Sequence, residues 1–391
     1  MYVSKLDRDW LDTPFIMQGF LIEDPEDIDI VSEYCEHVWV DAVQSRRRDT
    51  GASGVGTASQ TRPAKYVHQV SIQDEHRKAY KAFRHARSIT CSILEDVRLG
   101  ASIDSEAAKS TVNDCVDSVL RHPDAMLWLS KIRNESEYTS DHCLNVCILA
   151  IAFGRQLDFD TQELQNIGLC GLLHDVGKMR VPHGIVDKPA KLTTKEYNLM
   201  KAHTVHGRNL LLSTKNVYSG TIDVAYSHHE RMDGEGYPRK LPGKGIARYA
   251  RIISIVDAYD AMTAERCYSR AKTSTEALKI IYSERGKQFD DELALKFIKT
   301  IGLYPPGSLV ELYSGEVGFV FESNQYRRHL PKVILLLDDE KEPRKKEKIL
   351  DLSYIESGEI SKQNLIKQVW PDGSFALHIR DLQSKGLILK Y

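Results

Sequence analysis

The 391-residue chain has no run near the roughly 18 apolar residues of a membrane span, so no membrane partner is expected. Asp7, Arg8 and Asp9 interrupt the first apolar stretch, which argues against a secretory leader. Neither sign of charge is in excess. Lys and Arg total 53 against 55 Asp and Glu, a formal net charge of -2, so no nucleic-acid polymer is expected as a partner. The seven cysteines are odd in number and scattered, and none forms a CxxC pair. That excludes a disulfide framework and points to free thiols in a reducing, cytoplasmic setting. Cys143 and Cys147 lie one helical turn apart, a spacing that suits two small buried side chains better than half a metal site. Internal repeats are also absent.

Several segments differ in pattern. Residues 1–44 mix short extended runs with helical spacing at Ile28, Val31 and Cys35, and His37 to Val43 reads as a strand. Residues 45–63 are rich in Gly, Ser and Thr with an arginine triplet, and read as a flexible linker. Apolar spacing predicts a helix from Ile72 to Arg98, ended by Gly100, and a second from a cap at Asp104 to Leu120. This hairpin could pack on a following core or on a second subunit as a homodimer. Residues 121–302 read as mostly helical. Beyond Gly302, Leu309–Tyr313, Val317–Val320 and Val333–Leu337 read as strands, with a turn at Ser314-Gly315 and a charged loop near 338–348.

Histidine is concentrated. Seven of the fourteen histidines fall between His142 and His229, and several adjoin acids, as in His174-Asp175 and His228-His229-Glu230. Neutral imidazole is the commonest protein metal ligand, and an aspartate can bridge two metals. Neighbouring residues on a helix point about 100° apart, so His174 and Asp175 reach one metal only at a specialised point at the end of the apolar run Ile167–Leu173. Lys178 follows one turn later and suits a phosphate oxygen.

The run Gly171-Leu172-Leu173-His174-Asp175-Val176-Gly177-Lys178 resembles the signature of the HD superfamily of metal phosphohydrolases. His228 to Pro238, HHERMDGEGYP, resembles the segment that names its HD-GYP subfamily, and Ala250 to Ala261 resembles the helix carrying the family's last aspartate ligand. Through the runs Leu11-Asp12-Thr13-Pro14-Phe15 and Gln18-Gly19-Phe20, residues 1–44 also resemble the small domain of unknown function that often precedes HD-GYP domains. The resemblance implies a mainly α fold, with a helical HD-type catalytic domain at 125–303. Before it stand a small α+β module with its linker at 1–64 and a connecting hairpin at 65–124. A small β-rich module follows at 304–391.

It further implies that His142, His174, Asp175 and Asp257 hold one metal, and that Asp175 bridges to a second held by His203, His228 and His229. Iron or manganese is the expected pair of ions for an all nitrogen and oxygen set. Some relatives bind a third metal through a glutamate at the position of Tyr138, so two metals are expected here. Lys178, Arg266 and Tyr237 are the implied substrate contacts, with Asp175 and Lys178 catalytic. The Arg-Pro-Tyr-basic pattern after that arginine reads Arg266-Cys267-Tyr268-Ser269 here, which lacks the basic residue. Asp260 is expected to orient a ligand or pack, and His183 and His206 to lie outside the site. The implied reaction is hydrolysis of cyclic di-GMP to pGpG and GMP by a two-metal-activated hydroxide. The alternatives are another nucleotide phosphohydrolase, a phosphodiesterase for 3′,3′-cyclic GMP-AMP, and a non-catalytic cyclic-dinucleotide sensor.

Overall fold

A computed structural model describes residues 1–7, 20–22, 28, 31–32, 35–41, 66, 68–132, 138–265, 271–324 and 327–384. The chain opens with a three-stranded antiparallel sheet of order β2-β1-β3, made of β1 Tyr2–Leu6, β2 Phe20–Leu21 and β3 Val38–Val40. The linker expected at 45–63 lies outside the described residues.

Helix α1, Ile72–Arg98, begins where Ser71 accepts a hydrogen bond from the Asp74 amide, with Asp74 and Glu75 favourably placed in its first turn. Ala79, Phe83, Ala86, Ile93 and Val97 form its buried stripe. Gly100, at φ +99°, turns the chain into α2, Ser105–Arg121, which Asp104 caps. The two helices pack on each other and on the helical core behind them. Glu75 is fully buried between them, 2.6 and 2.9 Å from the Arg121 guanidinium and 2.8 Å from Ser118 Oγ. Replacing Glu75 by Ala leaves the buried Ser118 hydroxyl and the half-buried Arg121 guanidinium without their acceptor. It should lower the unfolding free energy by about 2–3 kcal/mol, read as a lower urea midpoint. A midpoint unchanged from wild type would show that the hairpin does not depend on this pair.

Short α3, Pro123–Leu129, leads to α4, Tyr138–Gln156, which is buried from Ser140 to Gly154. A helix apolar all round belongs at the centre of a bundle. Helix α5, Thr161–Leu173, starts with an Asp160–Glu163 capping box and packs along α4. A 3-10 turn, Val176–Arg180, follows, then α6 His183–Val186, α7 Thr194–Lys201, α8 His203–Ser213 and α9 Ser219–Ser227. Helix α10, Arg248–Thr263, packs against α4, and α11 Ser274–Ser283 and α12 Asp291–Ile301 pack on it in turn. Cys143 and Cys147 are both buried in α4, and burial pushes the Cys143 thiol up to about 12, in keeping with a packing role. Among the described residues no helix is long and apolar enough to cross a membrane.

After Gly302 the chain forms a five-stranded antiparallel sheet of order β7-β6-β5-β4-β8, with β4 Leu309–Leu312, β5 Val317–Glu322, β6 Lys332–Leu337, β7 Pro343–Asp351 and β8 Ile366–Trp370. Strand alternation splits its side chains. Leu309, Phe319, Phe321 and Ile334 join the helical core, while Val310, Val320, Val333 and Leu335 build a small core on the other face. A last helix, α13, spans Ile379–Ser384. The expected loop near 338–348 is corrected: Pro343 to Lys348 belong to β7. The strand lies at the sheet edge, where lysine and arginine are tolerated because one side faces water, so its charge hid its conformation.

Candidate metal centre

Side chains from five helices and one turn converge on one point. His142 comes from the first turns of α4, and His174 is the cap residue of α5. Asp175 leaves the helix at φ -104°, ψ 8°, and this break aims its carboxylate back beside His174. His203 begins α8, His228 and His229 follow α9, and Asp257 lies on α10. The cluster depends on close backbone approach at Gly177. A Cβ there would lie 1.9 Å from His203 O and 2.3 Å from Gly207 N.

The imidazoles are pre-oriented. His174 Nδ1 donates to Gly171 O at 2.7 Å, His203 Nδ1 to Met200 O at 2.7 Å and His228 Nδ1 to Val224 O at 3.0 Å. Each of these rings therefore turns a lone-pair nitrogen, Nε2, inward. His142 is held the same way from another helix, its Nδ1 2.8 Å from Asp260 Oδ2. Asp260 thus takes the orienting position expected one turn after Asp257.

The Asp175 carboxylate sits between two histidine groups. Its Oδ2 is 3.5 Å from His142 Nε2 and 3.3 Å from His174 Nε2, and its Oδ1 is 3.3 Å from His203 Nε2 and 3.7 Å from His228 Nε2. Asp257 Oδ1 lies 3.1 Å from His142 Nε2, and its Oδ2 3.9 Å from His229 Nδ1. Two compact ligand groups result, one of His142, His174 and Asp175, the other of Asp175, His203, His228 and His229, and a third, of His174, His228 and Asp257, links them.

Hydrogen bonding alone does not explain this arrangement. His203 Nε2 and His228 Nε2 face each other at 3.4 Å, although both rings already use Nδ1 on a backbone carbonyl. His174 Nε2 and Asp175 Oδ1 are buried and make no hydrogen bond among the described residues. A cation between these atoms gives each of them a partner. The donor set is all nitrogen and oxygen, which fits a catalytic divalent metal.

Charge at the centre is uneven. Burial acts to raise Asp175, but Lys178 and His174 outweigh it and hold the carboxylate well below its ordinary range. Burial and His228 lower His203 to about 3, so its ring is neutral and available as a ligand at neutral pH. Lys178 Nζ sits 2.5 Å from Asp175 Oδ2, and Asp175 and Asp257 hold its ammonium above the usual lysine range against the effect of burial.

The loop after His229 forms the near wall. Tyr237 packs on the His229 ring with centroids 4.7 Å apart, before a cis bond to Pro238. Glu230 was not assigned a role by sequence reasoning, although it adjoins the paired histidines. It is buried, and its two oxygens accept from the Arg239 amide at 2.7 Å and the Leu241 amide at 3.0 Å, which fastens this loop. Arg87 was missed as well. It pairs with buried Asp141 at 2.7 Å and ties α1 to the start of α4 beside His142. His183 is exposed and pairs with Asp187, and neither it nor His206 is in either ligand group. Arg266 lies outside the described residues.

Comparison with known proteins agrees with this geometry. A family described as HD domain matches residues 127–293, and the domain of unknown function DUF3391 matches residues 1–108. A cyclic di-GMP phosphodiesterase of Pseudomonas aeruginosa is 36% identical over 338 residues, covering 85% of this chain and 81% of that protein. A cyclic di-GMP phosphodiesterase response regulator of Xanthomonas campestris pv. campestris is 37% identical over 168 residues, 41% of this chain and 44% of its own length. A 3′3′-cGAMP-specific phosphodiesterase of Vibrio cholerae is 33% identical over 171 residues, 44% of this chain and 37% of its own. With its paired histidines, its His174-Asp175 turn and a relative matched along most of both chains, the protein belongs to the HD-GYP family of HD-domain proteins.

Proposed function

We propose that this protein is a metal-dependent phosphodiesterase that hydrolyses cyclic di-GMP to pGpG and then GMP. The observation that carries the reading is the split of the Asp175 carboxylate, one oxygen toward His142 and His174 and the other toward His203 and His228. That division suits a bridging ligand between two ions, with Asp257 completing the first group and His229 the second. Iron or manganese suits the donors. When bound, such ions supply Lewis acidity and lower the pKa of water toward neutrality.

The chain's own side chains have separable tasks. Three histidines held by backbone carbonyls, and His142 held by Asp260, need no reorganisation to present Nε2. Lys178 carries a fixed positive charge beside Asp175, where it can offset charge growing on a phosphoryl oxygen in the transition state. Tyr237 offers an aromatic face beside the centre for a guanine base. Arg266 is assigned a phosphate or base contact on the family resemblance alone. Catalysis is assigned to residues 125–303, with 1–64, 65–124 and 304–391 as attached modules.

Replacing Asp260 by Ala removes the acceptor that orients His142 without touching a direct ligand. Metal affinity should fall by roughly 10–100-fold, with turnover partly restored at high metal concentration. Unchanged affinity in a chelator competition would leave Asp260 as packing only.

The function itself is tested by incubating anaerobically purified protein with cyclic di-GMP and ferrous iron or manganese, with 3′,3′-cyclic GMP-AMP in parallel. Product is read by chromatography, and metal content on the same sample. Release of pGpG or GMP with two metal ions per chain is the expected result. Full metal occupancy with product only from cyclic GMP-AMP reassigns the substrate, and no product from either makes the protein a sensor.

A further inference from the structure

Outside the centre described above, one other group of ligand-type side chains converges among the described residues: His68, His122 and Glu322. They come from three distant parts of the chain. His68 lies just before α1, His122 is the corner residue between α2 and α3, and Glu322 ends β5 of the C-terminal sheet. One ligand atom from each lies within 4.8 Å of the others, and the two imidazole rings are 4.0 Å apart.

Hydrogen bonding leaves this cluster half satisfied. His122 is 1% exposed, yet its Nδ1 has no partner among the described residues. Its Nε2 makes a long hydrogen bond of 3.3 Å with Glu322 Oε1. The same separation matches the edge of a tetrahedral zinc site, where bonds of about 2.0–2.1 Å put ligand atoms roughly 3.3 Å apart. Glu322 is directed there by Lys332, whose ammonium binds the other carboxylate oxygen at 2.7 Å and leaves Oε1 facing the imidazole. Lys332, with Lys-bound Glu322, His122 and the adjoining buried Asp124 on Ser323, makes this a built polar junction rather than a chance surface contact.

We propose that His68, His122 and Glu322 form a second metal site, of a class suited to zinc, that pins the entry to α1, the α2–α3 corner and the C-terminal sheet together. Two imidazoles and a carboxylate are a sufficient protein ligand set for zinc, with water in the fourth position. Burial and His122 lower His68 to about 4, so its ring is neutral and ready to ligate at neutral pH. The partial exposure of His68 provides the path by which an ion enters. The site shares no residue with the catalytic groups, and the inference does not rest on the proposed substrate. Its role is architectural: it clamps modules that flank the catalytic helices.

The test is zinc binding by the full chain. Wild type, His68→Ala and Glu322→Gln are stripped with chelator, dialysed against buffered zinc and analysed for metal per chain. Circular dichroism checks the fold, and thermal unfolding is followed with and without zinc. His68 is only partly buried and Glu322→Gln keeps its shape, so one of the two variants folding is enough. Each variant should bind one zinc per chain fewer than wild type and show a smaller zinc-dependent rise in melting temperature. The difference is the readout, so it holds whatever the catalytic centre retains. Equal zinc stoichiometry in wild type and a folded variant overturns the proposal, whatever the melting temperatures do.

Discussion

The Asp175→Ala variant is expected to lose at least about 10³-fold in turnover, equivalent to roughly 4 kcal/mol of transition-state stabilisation, together with most of its bound metal. The expectation follows from how many partners one carboxylate serves. Within 3.7 Å it meets the Nε2 atoms of His142, His174, His203 and His228, and it also holds the Lys178 ammonium. The losses should be unequal. Removing Asp175 leaves His142, His174 and Asp257 on one side, a set that still includes an anion. On the other side it leaves His203, His228 and His229, three imidazoles that bring no negative charge to balance a divalent ion. Metal should therefore leave the second group first. Asp175→Asn separates charge from shape, because it keeps the volume and one oxygen. It should fall nearly as far as the alanine variant. Metal content measured beside turnover, with circular dichroism as the control for folding, decides the matter. Turnover within tenfold of wild type in a folded Asp175→Ala protein would end the bridging assignment.

What the sequence disclosed was local. The ends of α1 and α2 follow from caps and apolar spacing within one element, and both helices begin and end within a residue or two of the expectation. The candidate ligands stood out because His174-Asp175 and His228-His229 are short patterns at the ends of helices. Their mutual arrangement was not, because it is made by contacts between elements. Asp260 could be placed one turn after Asp257, but its partner His142 is 118 residues away. Glu230 stands inside the paired-histidine segment, yet its use as an acceptor for two loop amides follows only once the loop is closed. His122 and Glu322 are 200 residues apart and belong to no common pattern. The β7 strand failed for another reason: its residues are charged as a loop's are, and only its place at a sheet edge accounts for them. Periodicity reports which face is buried, and cannot report what meets it there.

The second large effect concerns a residue with no side chain. Gly177→Ala is expected to lower stability by about 3 kcal/mol, the upper end for overpacking, and to reduce turnover by roughly 10²-fold. The added Cβ would sit 1.9 Å from His203 O, 2.3 Å from Gly207 N and 2.9 Å from Gly207 Cα. All three are backbone atoms, so no rotamer change relieves the clash, and the Val176–Arg180 turn must back away from α8. That turn carries Lys178 and begins directly after Asp175, while α8 begins with His203. The displacement therefore pulls the Asp175 carboxylate away from His203 and His228, and a shift of about 1 Å in such a geometry costs about two decades of rate. Gly184→Ala is the matched control. It lies on neighbouring α6, and nothing is within 4 Å of an added Cβ there. Its unfolding midpoint and turnover should equal those of wild type. If Gly177→Ala also unfolds at the wild-type midpoint and keeps its rate, the close approach of the 3-10 turn to α8 is not what holds the two ligand groups in register.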